Sequence, residues 1–523
     1  MSASPTRRLW FSAIALVMVV PVLSAVRPAQ ADDFSFWIDG LLSEPETPIA
    51  SQPPAASDRE STADLEPKPE KPAKDKAEPC DAKKLKAIEK KVATSHKPLF
   101  HDNNFDYLCD PCYCDWHLGD RLKRLGVGQF ITFDVGGQYR MRWMDETNHR
   151  GLGLTGVDDD FLLHRTRVYS NVEVGERFRF FAEYSDAESN GERFPPRPPE
   201  VNRSDMLNLF GDVMLCDLSP GPVWARVGRQ ELLYGSQRVV SPLDWANSRR
   251  TFEGYKVFWK GEKWSVDSFY THPVYPDARN FDSPEENHEF MGFWGTCKPC
   301  EHRTLDLFYL AYNDSIAGFK YDTLGGRWLK TIDNWQFEVE GAAQFGENTD
   351  RSDHAAGFCV AGLSRKFPGV AWEPMLSAYY DWASGSDDRG AGHGYHHLFP
   401  LAHRYLGFMD LFGRRNLETP NVQLLLKPHE KIEILVWYYY FFLENKNDTP
   451  YSIVMTPYNP ANAPASADLG QEIDLALTYR FTPRASALIG YSHFFAGAYY
   501  ELTPGVAYRD DADFAYAQFQ VDF

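Results

Sequence analysis

From about Phe130 to the end of the chain, apolar and polar residues alternate with period two, the signature of strands with one greasy and one wet face. Over residues 133–143, Phe133, Val135, Tyr139, Met141 and Trp143 are apolar, and Asp134, Gln138, Arg140 and Arg142 alternate with them. The same rule sets Phe178, Phe180, Ala182 and Tyr184 against Arg177, Arg179 and Glu183. Further on, Phe337, Val339, Ala343 and Phe345 oppose Gln336, Glu338, Glu340 and Gln344. Ile473, Leu475, Leu477, Tyr479 and Phe481 likewise oppose Glu472, Asp474, Thr478 and Arg480. Roughly seventeen or eighteen such segments follow Ile131, with Gly, Asp, Asn and Pro marking the turns between them.

A soluble β-sandwich alternates too, so the period alone does not place the chain in a membrane. Three further features do. The segments run to about ten residues, the length a tilted strand needs to cross a bilayer, whereas soluble strands average about five or six. Aromatic residues gather towards segment ends, as in the run 437–442 and at Tyr499 and Tyr500, which predicts interfacial girdles there. The alternating segment 517–523 ends at Phe523, an ending that resembles that of many outer-membrane barrels. Single-chain bacterial barrels close with an even number of strands, so the predicted fold is all-β, a transmembrane antiparallel β-barrel of about eighteen strands. A barrel of that size is too wide for its own side chains to fill, leaving an aqueous or a plugged lumen. The longest gaps run from Asp186 to Asp205, Pro273 to His302, Ala383 to His403 and Glu444 to Leu469, and are predicted to be extracellular lids or segments folded into the lumen.

Ahead of the barrel, Arg7 and Arg8 precede a charge-free apolar stretch from Leu9 to Val26, and Ala29-Gln30-Ala31 offers small residues for cleavage, predicting a signal peptide over 1–31. Residues 32–79 form a Pro-rich linker that buries too little apolar surface to offset its ordering entropy and is predicted to be disordered. A short periplasmic, cysteine-containing segment is expected over 80–129. Within it Leu85, Ile88 and Val92 lie at helical spacing, which suits a short amphipathic helix or a charged disordered stretch. The barrel is assigned to 130–523.

The composition narrows the class. With 24% charged and 43% hydrophobic residues the chain is neither an all-helical membrane protein nor intrinsically disordered. Its net charge of −19 argues against nucleic-acid binding, which needs a basic surface. A mean hydropathy of −0.45 looks soluble, but a barrel shows lipid only alternate residues, and lumen, loops and linker dilute that band.

Strand phase puts Arg140, Arg142, Arg165, Arg167, Arg177, Arg179 and Arg226 on polar faces. Guanidinium is permanently charged and grips carboxylates through paired hydrogen bonds, so a row of arginines in a pore selects anions. The acidic residues Asp134, Glu472 and Asp474 share those faces, so the arginines also suit mutually satisfied ion pairs bracing a wide barrel.

Residues 228–238 (GRQELLYGSQR) and 244–254 (DWANSRRTFEG) resemble the signature of the alginate-export outer-membrane proteins. So do 403–416 (HRYLGFMDLFGRRN), 470–475 (GQEIDL) and 490–494 (GYSHF), and the resemblance spans about Asp134 to Phe523. It implies an eighteen-stranded barrel with an arginine-rich constriction that passes a uronate polymer by passive diffusion, and it adds Arg229, Arg238, Arg250 and Arg414 to the candidates. By local phase Arg229 shares the side of Val227, so facing the pore requires a bulge or a place beyond the lipid band.

Cys109, Cys112 and Cys114, with Cys297 and Cys300, have the spacing of zinc half-sites, but in an exported chain disulfides are the expected state, and no metal or cofactor is expected. The second pair is predicted in a long loop that could lie on the side opposite the first. No nucleophile elbow or comparable spacing is present, so an outer-membrane hydrolase ranks below a channel. A general anion-selective porin for small solutes is the nearer alternative to a polysaccharide exporter. The expected partners are an anionic polysaccharide, outer-membrane lipid, the barrel-assembly machinery through the C-terminal strand, and a periplasmic scaffold.

Overall fold

A computed structural model describes residues 80–523, so the signal peptide and linker assigned from sequence lie outside the described residues. Eighteen antiparallel strands, from Ile131–Thr147 to Ala512–Asp522, each pair with the next. The last returns to the first in a register running from Asp513 opposite Thr147 to Asp522 opposite Gln138. Closure leaves no strand edge, which is what a bilayer demands, because hydrocarbon offers no partner to a free backbone N–H or C=O. A short strand, Leu125–Val127, pairs with the start of Ile131–Thr147.

The alternation sorts side chains as the polar–apolar pattern requires. In Ile131–Thr147, Asp134, Gln138, Arg140, Arg142 and Glu146 are buried inside the barrel, while Met141 and Trp143 are exposed on the outside. The connections differ by end. Turns such as 175–177, 219–220, 301–302 and 430–431 lie at the end where Ile131 begins, and connections 231–250, 384–416 and 443–467 at the other. Outer-membrane barrels keep short turns in the periplasm and long loops outside, which orients this one.

Two of the long loops fold back and fill the lumen. Residues Leu406, Phe408, Met409, Leu411 and Phe412 pack on wall residues Leu435, Trp437, Tyr439, Phe441 and Phe494. Leu232, Tyr234, Val239 and Val240 pack on Phe252, Phe269, Phe290 and Trp294. The two loops also pair with each other, Ser241 N donating to Phe399 O at 2.8 Å and Phe399 N to Val239 O at 3.0 Å.

Four expectations are corrected, the first two by this filling and the others by strand boundaries. Trp437, Tyr439 and Phe441 form an inward ladder with ring centroids 5.1 and 5.6 Å apart, not a lipid girdle, because the inserted loop supplies apolar surface for them to cover. Tyr499 and Tyr500 sit on a helix, Ala498–Leu502, and are buried against the same core. The gap placed between Pro273 and His302 contains the strand His288–Cys300, so Cys297 and Cys300 lie at the periplasmic end rather than in an extracellular loop. Arg177 lies in the turn before Phe178–Asn190 and is exposed, outside the pore.

At the periplasmic mouth, residues 80–124 form a cap. A helix, Ala82–Ala93, starts at Asp81, whose carboxylate accepts from Lys84 N at 2.7 Å, and its Ile88 and Val92 pack on Phe105 and Tyr107. A Cys80–Cys112 disulfide ties the start of this helix to the stretch that follows Tyr107. Arg484, in the turn after Asp468–Thr482, donates to Ser95 Oγ at 2.8 Å and Tyr107 OH at 2.7 Å. Gly119 must be glycine: its φ is +87°, and a Cβ there would stand 2.3 Å from the Phe523 carbonyl carbon.

Asp120 ties the cap together, accepting from Tyr107 OH at 2.7 Å, Tyr113 OH at 2.6 Å and His117 N at 2.9 Å. Burial by itself would raise this carboxyl, but those hydrogen bonds, with Arg484 nearby, outweigh it and hold the group below the usual aspartate range. A depressed carboxyl contributes stability that is present above the unfolded value of about 3.9 and lost as pH falls through the lower folded value. Amide-exchange protection of residues 80–124 should therefore fall in two stages, ahead of the barrel strands. It drops first as pH falls through the ordinary histidine range, because burial holds His96 well below it and charging favours the unfolded cap, and again below about 4 as Asp120 protonates. Protection that does not drop further below about pH 4 would assign the cap's cohesion to groups other than Asp120.

Candidate functional site: a cation-lined lumen

Between the cap, the wall and the inserted loops lies a cavity of about 380 Å³. Its lining holds six basic residues, Lys97, Arg140, Arg142, Arg167, Arg249 and Arg404, against two acidic ones, Asp244 and Asp522. The local field is thus positive in a chain whose total is −19. A second cavity of about 160 Å³ on the other side of the cap holds Arg179, Arg226, Lys256, Lys260 and Lys298 among its basic residues.

The arginines divide into two kinds. Most have carboxylate partners: Arg165 meets Asp244 at 2.8 Å, Arg167 meets Glu183 at 2.6 Å, Arg226 meets Asp212 at 2.7 Å, and Arg179 lies 3.9 Å from Asp212. Arg140 and Arg142 form no carboxylate ion pair among the described residues. Arg140 donates instead to the carbonyls of Asp244, at 2.7 Å, and Ala246, at 2.6 Å. Arg142 donates to Trp245 O at 2.7 Å and to Gln518 Oε1, and its guanidinium stacks 3.7 Å from the Trp245 ring. Carbonyl dipoles satisfy these donors without cancelling the charge. His403 covers the Trp245 ring with centroids 3.6 Å apart, so Trp245 is a fixed floor beneath Arg142.

The remaining candidates lie elsewhere. Arg238 meets Glu338 at 2.6 Å and Glu340 at 2.7 Å, and Arg414 meets Asp381 at 2.5 Å, so both pin inserted loops to the wall. Arg250 donates to Ser241 O and Pro400 O and holds the two loops together. Arg229 stays on the outward side with Val227, bonding Asp205 and Glu253 near the outer rim, so its assignment to the pore is corrected. The period-two rule held through Gly228, and no bulge turned Arg229 inward. Asp134 accepts from Arg124 N at 2.6 Å at the periplasmic edge.

Glu472 and Asp474 face inward as loop anchors, accepting from Met409 N at 3.0 Å and Phe408 N at 3.1 Å. Gly407 makes this approach possible, since a Cβ there would stand 2.5 Å from Glu472 Oε2.

Strand phase could not find Trp245, Arg249, Glu231, His403, Phe100 or His101. The first four stand in loops without period, although all four fall inside the conspicuous runs 228–238, 244–254 and 403–416. Nothing in the sequence around Phe100 marks it as luminal.

A closed barrel with a lipid-facing apolar exterior, long outer loops and a polar, charged interior defines an outer-membrane β-barrel channel. The alginate-export family matches residues 132–512, and the chain belongs to it. Among curated proteins, none is significantly similar in sequence. Among solved structures, OccAB1 of Acinetobacter baumannii is 11% identical with a TM-score of 0.52, over 75% of this chain and 96% of that one. OccK8 (OprE) of Pseudomonas aeruginosa is 12% identical with a TM-score of 0.50, over 75% and 98% of the two chains. OccK3 (OpdO) of the same organism is 11% identical with a TM-score of 0.50, over 75% and 96%. At such identities the likeness is one of fold. Family and fold are those of channels rather than enzymes.

Proposed function

We propose that the channel exports an anionic polysaccharide, an alginate-like polyuronate, by passive diffusion past an arginine-lined stretch of the lumen. The observation that carries this reading is the cavity of about 380 Å³ with six basic residues against two acidic ones, in which Arg140 and Arg142 have no carboxylate partner among the described residues. Two guanidinium groups held by carbonyls keep their charge for a passing carboxylate, and their planar forks match its two oxygens. Asp244, whose side chain is 47% exposed, pairs with the neighbouring Arg165 and Arg249 and keeps the cluster as a whole from holding a cargo group too tightly. Membership of the alginate-export family supports a uronate as the cargo.

The modest cavity volume favours a second reading, a general anion-selective porin for small solutes. Planar-bilayer recording separates the two. Under a KCl gradient the reversal potential should show anion preference, and trigalacturonate should block the current, with block weakening as salt screens the luminal charge. Anion preference without block would favour the small-solute porin, and cation preference would overturn both.

A further inference from the structure

Residues 97–102 leave the cap and enter the lumen, so that Lys97 and Pro98 line both cavities. We propose that this segment is a plug: it closes the periplasmic end of the channel by occupying four luminal arginines, and conduction requires its withdrawal. Three of the contacts are hydrogen bonds. Arg179 donates to the His101 carbonyl oxygen, Arg226 Nη1 to His101 Nε2 at 3.0 Å, and Arg249 Nη2 to the Pro98 carbonyl at 3.1 Å. The fourth is a cation–π contact, the Arg167 guanidinium 3.9 Å above the Phe100 ring. Phe100 is buried and clusters with Tyr169, Phe181 and Phe210 on the inner wall.

The chemistry of these contacts suits a removable part. The segment's direct contacts to the four arginines are carbonyls and rings, and its one carboxylate, Asp102, pairs with Lys260 at 3.9 Å. Each of the four has an acidic neighbour on the barrel or an inserted loop: Asp212, shared by Arg226 at 2.7 Å and Arg179 at 3.9 Å, Glu183 for Arg167, and Glu231 for Arg249. Withdrawal would therefore leave no buried charge alone, the outcome that makes most buried ion contacts hard to break. What holds the plug is the apolar burial of Phe100, a few hydrogen bonds and the long, partly exposed ion pair between Asp102 and Lys260. An arriving cargo carboxylate can replace those hydrogen bonds to neutral acceptors with bonds in which both partners are charged.

Both ends of the segment are tethered at the rim, Ser95 through Arg484 and Tyr107 through Arg484 and Asp120, so the plug can swing without leaving the mouth. This inference rests on the reading of the barrel as a conducting channel and adds to it a closed state and the part that closes it.

The test uses the full mature chain in planar bilayers, with a double variant Phe100→Ala/His101→Ala and a second variant in which residues 97–102 become a Gly-Ser stretch of equal length. Heat-dependent migration on SDS gels selects folded barrels. Both variants should raise single-channel conductance or open time in KCl several-fold over the unaltered chain. Equal conductance and open time in folded variants and unaltered chain would overturn the plug. Trigalacturonate added to the opened variants reads the cargo separately: raised conductance without block keeps the plug and removes the uronate, whereas block with unchanged conductance does the reverse.

Discussion

Replacing Arg140 and Arg142 together by glutamine is expected to weaken trigalacturonate block by roughly two orders of magnitude and to shift the reversal potential toward non-selectivity. A hydrogen bond to a charged group contributes about 1.5–3 kcal/mol, and about 1.4 kcal/mol corresponds to tenfold in binding. Each arginine whose charge is free to meet a carboxylate should thus contribute about tenfold or more. Stability should change little, because glutamine can still donate to the carbonyls of Asp244, Trp245 and Ala246 that these side chains now hold.

The paired arginines provide the contrast. Arg167→Gln removes the partner of Glu183, which is fully buried, so its main effect should be on stability rather than on block. If Arg140→Gln/Arg142→Gln leaves block unchanged while Arg167→Gln abolishes it, the unpaired arginines are structural and the cargo path lies elsewhere.

The largest stability effect is expected at Arg414. Its guanidinium meets Asp381 through Nη2 at 2.5 Å and Nε at 3.0 Å and also donates to the Arg238 carbonyl, so it nails the loop 384–416 to the wall. Arg414→Met leaves Asp381 buried and unpaired, which costs about 3–5 kcal/mol. Arg414→Met/Asp381→Leu removes both charges and should recover most of that loss, because a buried ion pair and an apolar pair of similar size are often nearly equivalent. Unfolding midpoints in denaturant, read from the gel shift of the folded barrel, measure both. A single variant as stable as the unaltered chain would mean that the loop is held by its apolar face alone.

The same contacts explain how much could be read in advance. Arg140, Arg142, Arg165 and Arg167 were placed inside by parity, because a strand between lipid and lumen must turn every second residue inward. Parity likewise kept Arg229 outside with Val227. Arg238, Arg250 and Arg414 were visible only as parts of conspicuous runs, with no direction attached, since a loop has no period to set one. The inward ladder of Trp437, Tyr439 and Phe441 was misassigned for a related reason. Aromatic residues at a strand end suit an interface with lipid headgroups and an interface with an inserted apolar loop equally well, and only the position of Phe408 and Phe412 distinguishes them.

The sequence by itself determined the barrel, its strand number and the two faces of each strand, because backbone pairing and the lipid boundary act on neighbours one and two residues apart. What occupies the lumen was decided by the tertiary structure. Arg142 meets Trp245 about a hundred residues away, Arg238 meets Glu338, and Arg226 meets His101. Those pairings depend on which loops fold inward and on a segment ahead of the first strand, and their energies arise only once closure of the barrel has brought these distant groups into one narrow, partly dehydrated space.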